Sequence, residues 1–93
     1  MSFENKNEKQ LYFNQTKGTI SEIIKGDRFC SITIIAGHEN PRDVCFTVKA
    51  SEYKDKYFMY EIGDKVTIKF YLNSRKKNDR WYTNANILDI TKD

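Results

Sequence analysis

The stretch "RFCSITIIAGHENPRDVCFTVK", Arg28 to Lys49, decides how this chain folds. Cys30, Ile32 and Ile34 share one parity, while Phe29, Ser31, Thr33 and Ile35 share the other. Further on, Val44, Phe46 and Val48 alternate with Cys45, Thr47 and Lys49. A period of two sends successive side chains to opposite faces, so each run reads as a strand with one apolar face. Between them, "GHENPRD" gathers Gly, Asn, Pro and Asp and reads as a loop. Residues directly opposite in an antiparallel pair share a face. Pairing Ile34 with Val44 and Ile32 with Phe46 therefore closes a hairpin with both apolar faces inward. That register turns Cys30 inward and Cys45 outward, so the two thiols are expected to stay unbridged.

Working outward, "KGTISEIIK" is a further strand run, ended by a Gly26-Asp27 turn. Residues 1–15 are polar and aperiodic, with "LYF" as an apolar interruption, and are expected to form a flexible arm before a single domain over 16–93. After the central hairpin, "SEYKDKYFMY" loses the alternation. Ser51 as N-cap, Glu52 in the first turn and the Tyr53/Tyr57 spacing predict a short helix. A Gly63-Asp64 turn then leads into a strand with Val66, Ile68, Phe70 and Leu72 inward and Lys65, Thr67, Lys69 and Tyr71 outward. In the last strand, "RWYTNANILDI", Ala85 and Ile87 fit the core, whereas Leu88 and Ile90 break strict alternation and predict a bulge or an edge. Pairing Tyr71 with Tyr82 and Leu72 with Trp81 would turn Trp81 inward and leave Tyr82 outward.

Three strands, a short helix and two strands cannot bury one apolar face as an open sheet. Closing the sheet on itself solves that problem. The expected fold is all-β: a five-stranded Greek-key barrel of the OB type, with the helix between strands three and four plugging one end.

Composition narrows the function. Ninety-three residues, 39% of them hydrophobic, suffice for one small core but not for two lobes around a deep catalytic cleft. No apolar run approaches the roughly 18 residues of a membrane span, and "MSFENKNEKQ" lacks the apolar stretch of a signal peptide, so a soluble, cytoplasmic protein without membrane contact is expected. Cys30, Cys45 and His38 fall short of the four ligands of a structural zinc site. No Ser or Cys has a base at recognisable spacing, and there is no Gly-rich phosphate loop. Neither an enzyme nor a metal or other cofactor is expected.

Charge is concentrated where chemistry is scarce. Between Asp64 and Tyr82 six cations (Lys65, Lys69, Arg75, Lys76, Lys77, Arg80) face only Asp64 and Asp79, while the rest of the chain is nearly balanced under a net charge of +3. Together with Gly18 in the opening strand, "YEIGDKVTIKFYL" entering strand four, and the basic-aromatic hairpin completed by "WYTNANILDI", this makes the chain from about Lys17 to Ile90 resemble small bacterial and phage OB-fold proteins of the single-stranded-DNA-binding type, including a family of short uncharacterised domains.

The resemblance implies binding of single-stranded nucleic acid, DNA ahead of RNA, as in replication, repair or recombination. It places the ligand on the outer face of strands two and three, between the loop joining strands one and two and that joining strands four and five. The basic segment lies on the second of those loops. Arg75, Lys76, Lys77 and Arg80 would follow phosphates, with Lys49 and Lys69 extending the track and Arg28 contributing from the opposite loop. Trp81, Tyr82, Tyr71 and Phe29 would offer faces for bases. Ser31, Thr33 and Thr47 form the floor, which implies weak sequence preference. The other reading is an interaction module, self-assembling into a small homo-oligomer or binding a protein, with outward Ile35, Cys45 and Tyr71 covered and the charges solubilising.

Overall fold

A computed structural model describes residues 14–93. Five strands, β1 (Asn14–Lys25), β2 (Phe29–Ala36), β3 (Arg42–Lys49), β4 (Lys65–Lys77) and β5 (Arg80–Lys92), close into a barrel in the order β1-β2-β3-β5-β4. Between β3 and β4 a single helical turn, α1 (Ala50–Glu52), runs directly into a π-helical turn, Tyr53–Tyr57. This is the OB-fold. The expected arm falls outside the described residues apart from Asn14 and Gln15, which β1 takes up.

The β2–β3 register follows the alternation. Ile34 lies opposite Val44 and Ile32 opposite Phe46, with Ile32, Ile34 and Phe46 fully enclosed. Cys30 is buried and Cys45 exposed, on opposite faces of that hairpin. Inside, Ile20, Val66, Ile68, Ile87 and Ile90 complete the core, and the Phe46 and Phe70 rings meet at 5.0 Å with a 59° tilt, one of the geometries aromatic pairs favour.

Two bulges let the barrel close. In β5 the register slips opposite Lys69 and Phe70, passing from Asp89 to Ile87 and leaving Leu88 without a partner. The extra residue allows Ile87 and Ile90 both to face inward, which is the bulge that the broken alternation at Leu88 predicts. In β1 the slip falls between Ile20 and Glu22. There Ser21 Oγ donates to the Thr33 carbonyl at 3.3 Å, and the backbone of Ile20 bonds to the turn before β4: its N–H donates to Asp64 at 2.9 Å and its carbonyl accepts from Gly63 at 2.8 Å. Gly18 pairs with both β2 and β4. A Cβ there would lie 2.5 Å from the Ile35 carbonyl oxygen and 2.9 Å from Ile34 Cδ1, so only glycine lets the three strands come this close.

The helical turns close the barrel floor with Tyr53 and Tyr57, both buried. Ser51 is not the N-cap. The cap position falls two residues earlier, at Lys49, and the helix starts at Ala50 with no side-chain cap. The Ala50 N–H instead donates to the Arg28 carbonyl at 2.8 Å, so the turn is fixed by the loop between β1 and β2.

The largest departure from expectation is in the last hairpin. β4 and β5 pair continuously out to Lys77 opposite Arg80, with Tyr71 opposite Asn86, Leu72 opposite Ala85, Arg75 opposite Tyr82 and Lys76 opposite Trp81. Only Asn78 and Asp79 remain as the turn, with φ of 55° and 65°. The expected pairing of Tyr71 with Tyr82 is thus wrong, and so are its consequences. Trp81 does not close the barrel; it is 68% exposed, and Leu72 is 59% exposed. Both sit on the inner-parity face, but the ladder has left the barrel by Leu72 and that face no longer covers a core.

Candidate nucleic-acid interface

The ladder assigns every side chain of the protruding hairpin to one of two faces. Tyr71, Asn73, Arg75 and Lys77 of β4 share the outer face with Arg80, Tyr82, Asn84 and Asn86 of β5. Leu72, Ser74 and Lys76 share the reverse face with Trp81, Thr83 and Ala85. Ser74 and Thr83 are hydrogen-bonded to each other across the reverse face at 2.9 Å.

The outer face of the hairpin runs into that of β2 and β3. Phe29 opposes Lys49 and Ser31 opposes Thr47 across those strands, and Thr47 meets Asn86 of β5 in the parallel contact that closes the barrel. One shallow concavity is lined by Phe29, Thr47, Lys49, Tyr71, Asn73, Arg75, Asn84 and Asn86. A second, bordered by Arg75 to Asn78 with Tyr82 and Asn84, continues it toward the hairpin tip. The two share Arg75 and Asn84. Together they form one open trough whose floor is polar and whose edges carry three exposed rings, Phe29, Tyr71 and Tyr82.

Phe29, Lys49, Tyr71, Arg75, Lys77 and Tyr82 are therefore brought together, although they come from four strands. Arg80 lies on the same face, opposite Lys77 at the tip. Lys69 is one outward step before Tyr71, opposite Asp89. Arg28 lies in the adjoining loop and borders neither concavity. Trp81 is separated from the trough by the hairpin itself; Lys76, which opposes it, has the same reverse-face parity but still borders the concavity at the tip. Asn73, Asn84 and Asn86 did not stand out in the sequence. Alternation would have revealed them as neighbours of Tyr71 and Tyr82, but only in the correct register.

Such a surface can do two things. Its cations can neutralise a phosphate chain, and its rings can stack on flat bases. The hydroxyls of Ser31, Thr33 and Thr47 are half-buried between the loops, where they could donate hydrogen bonds. The perturbed groups lie elsewhere: Tyr57 and Tyr60 sit under the helical end, where burial and the nearby Asp89 raise both phenols. Among the described residues, no cluster of three His, Cys, Asp or Glu is placed to hold a metal ion, and no helix is long and apolar enough to cross a membrane.

No protein-family model matches the chain, and no curated protein matches it significantly. Solved structures do. The chain is similar to the N-terminal domain of PriB from Thermoanaerobacter tencongensis, described as dimeric (TM-score 0.65, 14% identity, 88% of this chain and 96% of that one). It is also similar to the small single-stranded-DNA-binding protein of Mycoplasma pneumoniae (TM-score 0.52, 16% identity, 86% and 91% covered) and to that of Streptomyces coelicolor (TM-score 0.50, 13% identity, 87% and 93% covered). At these identities the likeness establishes the fold.

Proposed function

We propose that this protein is a non-catalytic module that binds single-stranded nucleic acid, DNA ahead of RNA, with weak sequence preference, along the outer face of β2, β3 and the β4–β5 hairpin. The observation that carries the reading is the continuity of the trough. Cations that are adjacent only on a hairpin tip lead without interruption to rings and hydroxyls on the barrel wall. The likeness to two proteins described as binding single-stranded DNA supports the same reading. In it, Arg75, Lys77 and Arg80 follow phosphates, Lys49, Lys69 and Arg28 extend the track, and Phe29, Tyr71 and Tyr82 stack. Lys76 and Trp81 act from the reverse side, where a strand passing round the tip would meet them.

Salt dependence tests this. Each phosphate neutralised on a single strand contributes a slope of about −0.7 in log K against log salt. In fluorescence anisotropy with labelled oligo-dT, replacing Arg75, Lys77 and Arg80 together by Ala should flatten the slope by about two units. Lys76→Ala alone should change it by less than one contact's worth. An unchanged slope in the triple variant would remove the hairpin from the binding site.

A second reading has its own observation. Ile35 is exposed in a groove lined by residues of β1, β2 and β4, and an apolar side chain there is what a partner or a second copy would cover. The dimeric state of the PriB domain fits a small homo-oligomer. Light scattering that finds a monomer at all concentrations would count against self-assembly and leave the binding reading untouched.

A further inference from the structure

Stacking and phosphate contacts leave the middle of the trough unexplained. Asn73 lies directly opposite Asn84, and Asn86, opposite Tyr71, is the next outward residue on β5. Asparagine is disfavoured in strands, because its amide competes for the backbone and packs poorly on a pleated surface. Three of them on one face of one ladder run against local preference, and departures of that kind collect at functional positions. The reverse face makes the contrast. There Ser74 and Thr83 satisfy each other at 2.9 Å, whereas among the described residues none of the three amide side chains has a hydrogen-bond partner in the protein.

Their surroundings indicate what they are open to. Tyr71 is one outward step from Asn73 on β4, and Tyr82 one outward step from Asn84 on β5, opposite Arg75. Four residues of strand separate the two rings, roughly 13 Å, with the amides between them. A base stacked on either ring would turn an edge toward the amides. A side-chain amide presents an acceptor oxygen beside two N–H donors, the complement of an edge with a donor next to an acceptor. Every unpaired base has such a pair on its Watson–Crick edge, but only adenine adds a second on its N7 side, the N6/N7 pair that asparagine takes in bidentate fashion.

We infer that Asn73 and Asn84, with Asn86 beside them, read the edge of one unpaired base and give this site a local preference for adenine within an otherwise sequence-tolerant surface. The inference rests on the binding reading above and goes beyond it in naming the base chemistry. A bidentate amide contact discriminates by about 1 to 3 kcal/mol, which is about fivefold or more in affinity.

The test compares oligo-dA, oligo-dC and oligo-dT of about 12 nucleotides, within the span of one OB surface, on the wild type and on the double variant Asn73→Thr/Asn84→Thr. Threonine favours strands, so the variant keeps its fold. The wild type should hold oligo-dA about fivefold or more tighter than oligo-dT, and the variant should bring the two within about twofold of one another with its salt slope unchanged. Stacking within oligo-dA itself cancels when variant and wild type are compared. No adenine preference in the wild type, or the same preference in the variant, would overturn the inference alone. Loss of preference together with a flattened slope would assign the effect to displaced cations and overturn it as well. Failure of every oligonucleotide to bind at low salt would remove both this inference and the reading beneath it.

Discussion

Tyr57 sits on the barrel floor, and its hydroxyl donates to the Leu88 carbonyl at 3.3 Å. Burial, then the charges of Asp89 and Glu52 and the neighbouring Tyr60, push its phenol up to about 12 from 10. The unfolded chain releases this proton near pH 10 while the folded chain still holds it. Stability present below pH 10 therefore falls as pH rises from 10 toward 12. Denaturant melts of Tyr57→Phe should show a shallower decline across that window than the wild type; equal declines would mean that Tyr57 does not carry the effect. Two other residues separate core from surface. Phe46 has no exposed area, and Phe46→Ala should cost about 3 to 5 kcal/mol. Trp81→Ala, at a position that sequence alternation turned inward, should cost no more than about 0.5 kcal/mol. A large loss of stability on removing Trp81 would restore it to the core.

Among the elements, the β2–β3 hairpin was legible because a core lies against one of its faces. Ile32, Ile34 and Phe46 must be buried and a one-residue slip would expose all three, so the apolar pattern fixes the register. The bulge in β5 was legible for the same reason, since Ile87 and Ile90 cannot both be inward without an extra residue. Beyond Leu72 the β4–β5 ladder has solvent on both faces, and no burial constrains its alternation. "NSRKKNDR" therefore resembles a loop although all but Asn78 and Asp79 are strand. The turn signal was weak as well. Two positive φ values are what a two-residue type I′ turn requires, but the second position holds Asp79 where glycine is preferred. Asp79→Gly should stabilise the hairpin by roughly 0.5 to 1 kcal/mol, the relief of left-handed strain less the added chain entropy of glycine. A thermal melt that moves downward would argue against that turn geometry.

At the scale of the whole molecule, the barrel was legible from five alternating segments and one helical interruption, and the excess of positive charge lies on the β4–β5 hairpin. What the sequence could not show was the division of that hairpin into two faces. Arg75, Lys77 and Tyr82 join Phe29 and Lys49 across the barrel wall, Lys76 borders the trough only at the tip, and Trp81 turns away. The central claim is that a single strand lies along the first of these faces. The most direct measurement is an NMR titration of the backbone and side-chain amides with oligo-dT. Shifts should concentrate at Phe29, Thr47, Lys49, Tyr71, Arg75 and Tyr82 and at the side-chain amides of Asn73 and Asn84, and the outer face of β1 around Thr19 and Glu22 should stay silent. Shifts gathered on β1, or none at saturating oligo-dT, would contradict the account.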